Sequence, residues 1–198
     1  MASPLASPTE PGLDPRVARS RATVLRAAAA LLIEQGAAGV TIEGIAERSG
    51  VAKTTIYRHW KSRSQLVFDA FESLLPALPA QDYGPTLPGQ LCGILNQLSR
   101  GLTQSEWAPA VPPLIDAGDR DPELRQLVQA FLVVRMERCR EALRGAMARG
   151  ELRRDLDVDV AIGVLAGPVF YRRLVSREPL SEAFVAEVVD QFLRSGAP

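Results

Sequence analysis

Residues 42–60 read IEGIAERSGVAKTTIYRHW, and their spacing decides the fold. A short helix, Ile42 to Arg48, reaches Ser49-Gly50 and stops, and a second, Ala52 to His59, begins almost at once. Thr41 stands where a side-chain oxygen caps the first of them. Ala46 is small where the second helix must cross closely. Gly50 supplies the left-handed backbone that so tight a turn requires. Ile45, Val51 and Ile56 form an apolar wedge that holds the two rods at one angle. This is the pattern of a helix-turn-helix, and it leaves the outer face of residues 52–59 free to project into a groove. An ordinary helical corner has the same outline, so the spacing needs support from charge.

The charge supplies it. Lys+Arg and Asp+Glu both number 23, so the net charge is zero. Residues 16–63 nevertheless carry nine bases against three acids, +6, and residues 64–198 carry −4. Both lysines of the chain, Lys53 and Lys61, lie in the basic block. A local excess of this kind is the footprint expected where phosphates are met. The neutral total excludes a protein that coats nucleic acid uniformly. A single histidine and two cysteines, Cys92 and Cys139, argue against zinc sites and histidine-based catalysis, so no enzyme, cofactor or metal is expected. The first residues, MASPLASPTEPGL, have neither a basic n-region nor an apolar h-region, and no run suits a membrane span. A cytoplasmic protein with no membrane partner is expected.

Outward from the motif, helical periodicity continues and strand-like alternation is absent. Residues 1–13 read as a disordered tail, and Asp14-Pro15 opens a helix that Gly36 stops. Ser62 caps a fourth helix, about 63–75, before Pro76 and Pro79 mark a seam. Further patterns cover 88–103, an irregular stretch over 107–118, one long helix over 122–149, a helix over 158–175 that Pro168 should kink near Val164, and a last helix over 182–194 capped by Ser181. The expected fold is all-α with about nine helices: a helix-turn-helix domain over 14–62, a connecting helix, and a larger domain over 76–198.

The stretch TIEGIAERSGVAKTTIYRHWKSRSQLV resembles the DNA-binding domain of the TetR (tetracycline repressor) family, with Tyr57, His59, Trp60 and Lys61 at the family's tyrosine, histidine, aromatic and lysine positions. The resemblance runs from about Arg16 to Phe71; beyond it the chain is similar to the family only in being helical. Trp60, where phenylalanine is commoner, and Ala52, where a capping serine is common, depart from the pattern. The resemblance implies DNA contacts from Thr41, Lys53, Thr54, Thr55, Tyr57, Arg58, His59 and Lys61. The chemistry suits them: lysine binds guanine acceptors, threonine meets thymine, and Tyr57, His59 and Lys61 clamp phosphates. The Thr41 hydroxyl and backbone N–H are expected to meet a phosphate as well.

The same resemblance implies a homodimer on a palindromic operator of double-stranded DNA and a small-molecule inducer of unknown identity. Ile162, Leu165, Val169, Phe184, Val188 and Phe192 are the expected dimer stripes. Phe71, Leu95, Leu98, Trp107, Leu114, Phe131, Arg135 and Tyr171 are the expected lining of a ligand pocket, with Arg135 suited to an anionic ligand. The resulting expectation is a ligand-released transcriptional repressor. The alternative is a constitutive or architectural DNA-binding regulator with no inducer.

Overall fold

The computed structural model describes residues 15–76 and 82–196; the expected tail, the Asp14 cap and Pro79 fall outside them. Among the described residues the regular elements are ten α-helices, one 3₁₀ turn and one π turn, with no strand. No described helix is long and apolar enough to cross a membrane. The chain divides between Ser73 and Leu74 into two units.

The first unit contains α1 (Pro15–Gly39), α2 (Ile42–Ser49), α3 (Lys53–His59) and α4 (Arg63–Ser73). Helical backbone breaks at Gly36, which takes φ 70°, so the α1 rod proper ends where the glycine was expected to stop it. Helix α1 packs against α2 and α4, and α3 packs against α2. Val24, Ala28, Leu32, Val40, Ile45, Ile56, Leu66, Val67 and Ala70 close the core with no exposed surface. Burial of this apolar set holds the short helices, because seven or eight residues do not sustain a helix alone in water. Ser62 Oγ accepts from the Gln65 amide at 3.0 Å and so starts α4 as expected.

The second unit contains α5 (Leu87–Gln104), the 3₁₀ turn Ala108–Ala110, α6 (Val111–Arg120), α7 (Pro122–Arg135), α8 (Glu137–Arg149), α9 (Val158–Tyr171), the π turn Arg172–Ser176 and α10 (Glu182–Gly196). Its core is built from Leu91, Leu95 and Leu102 of α5, Leu143 of α8, Leu165 and Val169 of α9, and Val185 and Val189 of α10. Asp157 Oδ1 caps α9 by accepting from the Asp159 and Val160 amides, and Ser181 Oγ accepts from the Phe184 amide.

Two expectations are corrected here. The single helix over 122–149 is two helices, broken at Met136 with φ −92° and ψ 0°. Helix α7 packs on α6 while α8 packs on α5 and α9, and one straight rod does not serve both. The break leaves Val134 59% exposed. The second concerns Pro168: α9 continues through it, and the irregularity falls later, where the backbone widens into the π turn.

Candidate nucleic-acid interface

The motif is built as its residues dictate. Thr41 Oγ1 accepts from the Gly44 amide at 3.0 Å and caps α2. Gly50 adopts φ 69°, ψ 8°, and its N–H closes α2 on the Ala46 carbonyl. Ala52 offers no side-chain cap to α3, and Trp60 ends that helix with its N–H on the Ile56 carbonyl at 3.0 Å. Ile45 and Ile56 are fully buried and Val51 half-buried, which makes the wedge.

On this frame Lys53, Thr54, Tyr57 and Arg58 are exposed along α3, Tyr57 by 60%, and Thr55 is half-buried. Lys61 follows, also exposed. His59 is half-buried and meets the Trp60 ring edge-on, with centroids 5.6 Å apart. Thr41 is exposed at the start of α2, but its N–H donates to the Gly39 carbonyl at 3.0 Å. That amide is therefore occupied, and the hydroxyl is what Thr41 offers a phosphate.

Several bases of the positive block have partners within the chain. Lys53 Nζ donates to Glu43 Oε1 at 2.6 Å and holds that carboxyl below its ordinary value. Arg48 meets Glu34 through two hydrogen bonds of 2.6 Å, joining α2 to α1, and lowers the Glu34 carboxyl likewise. Arg63 donates from Nε to the Val40 carbonyl at 2.8 Å and from Nη2 to the Ala37 carbonyl. It thus caps the backbone beyond the α1 break, a role nothing local in the sequence announces. Arg58 and Lys61 form no ion pair among the described residues and present their full charge.

The residues expected to line a ligand pocket are placed unevenly. Leu95, Trp107 and Leu114 are buried in the second unit, Leu98 is half-buried, and Phe71 is buried in the first unit. The Arg135 guanidinium lies 5.5 Å from the Phe131 ring centre, and burial lowers its pKa. Tyr171 is 61% exposed on the surface of α9 and faces no interior, because the turn of α9 that buries Val169 points it outward. Open clefts among the described residues of the second unit include three of about 670, 350 and 320 Å³. The largest is lined by α6 and the π turn, including Asp116, Asp119, Arg173 and Arg177. None of the expected pocket residues lines any of the three.

The expected dimer stripes also separate. Leu165, Val169 and Phe192 are buried inside the chain at 0%, 0% and 4% exposure, where no partner reaches them. The outward face instead carries Val160 and Val164, with Gly163 and Gly167 open beside them. Ile162, Phe184 and Val188 are half-buried, and the last two line the 350 Å³ cleft with Val164 and Pro168.

Comparison with known proteins follows the same division. Residues 24–70 match the family model described as bacterial regulatory proteins, tetR family, and residues 81–192 match tetracyclin repressor-like, C-terminal domain. The HTH-type transcriptional regulator YdeS of Bacillus subtilis (strain 168) is 33% identical over 177 residues, 88% of each protein. A DNA-binding transcriptional repressor TetR of Mycobacteroides abscessus is 27% identical over 174 residues, 87% of this chain and 90% of that one. The crystal structure of the TetR family transcription regulator SCO0332 has TM-score 0.64 at 33% identity, over 91% of this chain and all of its own.

Proposed function

We propose a function from one premise: this chain belongs to the TetR family of bacterial regulatory proteins, DNA-binding transcriptional regulators with a helix-turn-helix. It acts as a homodimer that represses transcription from a palindromic operator and leaves it when a small molecule binds the second unit. The observation that carries the DNA-reading half is the outer face of α3. Lys53, Thr54, Tyr57 and Arg58 stand exposed on a helix whose inner face is locked by Ile56 and Trp60. Lys53, Thr54, Thr55 and Arg58 reach base edges, while Thr41, Tyr57, His59 and Lys61 meet phosphates and set register. Two-fold symmetry places the second recognition helix one groove repeat away, about 34–36 Å, and makes the operator palindromic.

The dimer forms through the outward face of α9 with α10, using Val160, Val164, Ile162, Phe184 and Val188. The inducer is anionic. Arg135 supports that reading, since it is half-buried, stacked on Phe131 and without an ion pair among the described residues. Leu95, Leu98, Trp107, Leu114 and Phe131 supply the apolar surround. Binding shifts the population toward a conformer whose recognition helices are wrongly spaced. One observation favours a constitutive regulator instead: the clefts among the described residues are open rather than enclosed.

Selection of bound duplexes from a randomised pool tests the first half, with a palindrome expected. Failure to bind any duplex in a salt-sensitive way refutes it. Titrating the selected complex with aliphatic and aromatic carboxylates tests the second half. Release by one of them, abolished in Arg135→Ala, is expected; indifference to the whole panel leaves the constitutive reading standing.

A further inference from the structure

Three elements of the first unit converge on one carboxylate. Asp69 of α4 is only 13% exposed. Its Oδ2 accepts from Trp60 Nε1 at 2.9 Å and from Arg21 Nη2 at 3.0 Å, and its Oδ1 accepts from Gln65 Nε2 at 2.6 Å. The Arg21 guanidinium also lies over the Trp60 ring, 5.4 Å from its centre. Trp60 is 3% exposed and is the residue that terminates the recognition helix α3. A buried indole N–H needs an acceptor, and a carboxylate so enclosed needs donors. Each here satisfies the other, with α1 supplying the counter-charge.

The geometry points to Asp69 as a positioning residue that fixes the direction of the recognition helix, acting through Trp60. The wedge of Ile45, Val51 and Ile56 sets the angle between α2 and α3, but apolar contacts lack the directionality of a hydrogen bond and leave α3 some freedom to roll about its own axis. A hydrogen bond at the end of α3 removes that freedom. A phenylalanine at position 60 would fill much of the same space and leave the helix without this anchor. Loosening it lowers the fraction of molecules whose α3 is competent to read bases, and apparent affinity falls by that fraction. Binding that rests on phosphates tolerates the roll; base readout does not. This inference rests on the DNA-reading assignment and concerns its selectivity.

The test is the ratio of affinities for a duplex selected by the unaltered full-length chain and for a random-sequence duplex. It is measured below the melting temperature of every variant. Trp60→Phe and Asp69→Ala are each expected to lower the ratio about tenfold, the scale of one hydrogen bond to a charged group. The double variant loses no more than either alone, since both break the same bond. Asp69→Asn, whose amide oxygen still accepts from Trp60, retains most of the ratio. An unchanged ratio in folded variants, or fully additive losses, overturns the proposal whatever the melting temperatures do. Should Asp69→Ala fail to fold, Trp60→Phe and Asp69→Asn decide by the same criterion. An unaltered chain that selects no duplex refutes the DNA-reading assignment and this inference together, whereas selection with indifferent variants refutes this inference alone.

Discussion

Glu43 presents the sharpest perturbation of the DNA-binding surface. Its carboxylate is 68% exposed and holds the Lys53 ammonium at 2.6 Å, although Lys53 is one of the residues proposed above to reach a base. Binding to DNA must exchange that carboxylate for a groove acceptor. Glu43→Gln removes the competitor and one negative charge from the face proposed to meet phosphates. Both partners are at least half exposed, so the pair is screened and shifts an equilibrium by at most about fivefold. The expected result is therefore a two- to fivefold gain in affinity at 50 mM salt, for selected and random duplexes alike. The gain should shrink toward 300 mM, as the Debye length falls from about 14 Å at 50 mM to about 6 Å. Lys53 holds the Glu43 carboxyl below its ordinary value. The pair is thus intact above the usual carboxylate range and lost only as pH falls through the lowered value, so assay pH between 6 and 8 does not mimic the substitution. Fluorescence anisotropy of labelled duplexes over a salt series provides the measurement. Unchanged affinity at low salt refutes the competition, and a loss of affinity shows that Glu43 aims Lys53 instead of holding it back.

Lys61→Ala should weaken all duplexes alike and flatten the slope of log K against log salt by about 0.9. Arg63→Ala should lower the melting temperature and leave that slope alone, because Arg63 is occupied with the Val40 and Ala37 carbonyls; a flattened slope would make it a phosphate contact after all. Gly50→Ala meets no atom within 4 Å, so its cost, about 1–2 kcal/mol, comes from the positive φ alone, and thermal melting that shows no loss contradicts this account. On α9, Val164→Asp should yield monomers in sedimentation while the fold persists, whereas Leu165→Ala should cost about 2–5 kcal/mol of stability, and the reverse pattern would invert the assigned faces. Burial pushes the Cys139 thiol from 9.0 up to about 11, so the folded chain keeps a proton that the unfolded chain releases between those values. Stability should accordingly fall across that window more steeply in the unaltered chain than in Cys139→Ser, and parallel curves would refute the shift.

The helix-turn-helix was legible because its determinants are local. Thr41, Ala46, Gly50 and the Ile45–Ile56 pair lie within sixteen consecutive residues, and each acts on backbone a few positions away. Caps at Ser62, Asp157 and Ser181 were legible for the same reason: a side chain three residues from an orphan amide has little choice of partner. Charge counting also singled out residues 16–63 as a basic block, but it treated all nine bases alike. Only folding shows that Arg48, Lys53, Arg21 and Arg63 have intramolecular partners while Arg58 and Lys61 form no ion pair among the described residues.

Helix α9 marks where sequence reading stops. VDVAIGVLAGPVFY is apolar nearly all round, so periodicity names no inward side. Its rotation is chosen by α5, α8 and α10 packing against it, which buries Ala161, Leu165 and Val169 and turns Val160, Val164 and Tyr171 outward. The break at Met136 has a similar origin, since α7 and α8 answer to different neighbours. Short-range chemistry along the chain thus determined that two rods meet at a fixed turn and that their outer face is basic. Long-range packing decided which way each apolar helix faces and that Asp69, nine residues beyond Trp60 and 48 beyond Arg21, ties both together. An apolar side chain or a carboxylate carries no record of its partner until the chain has folded around it.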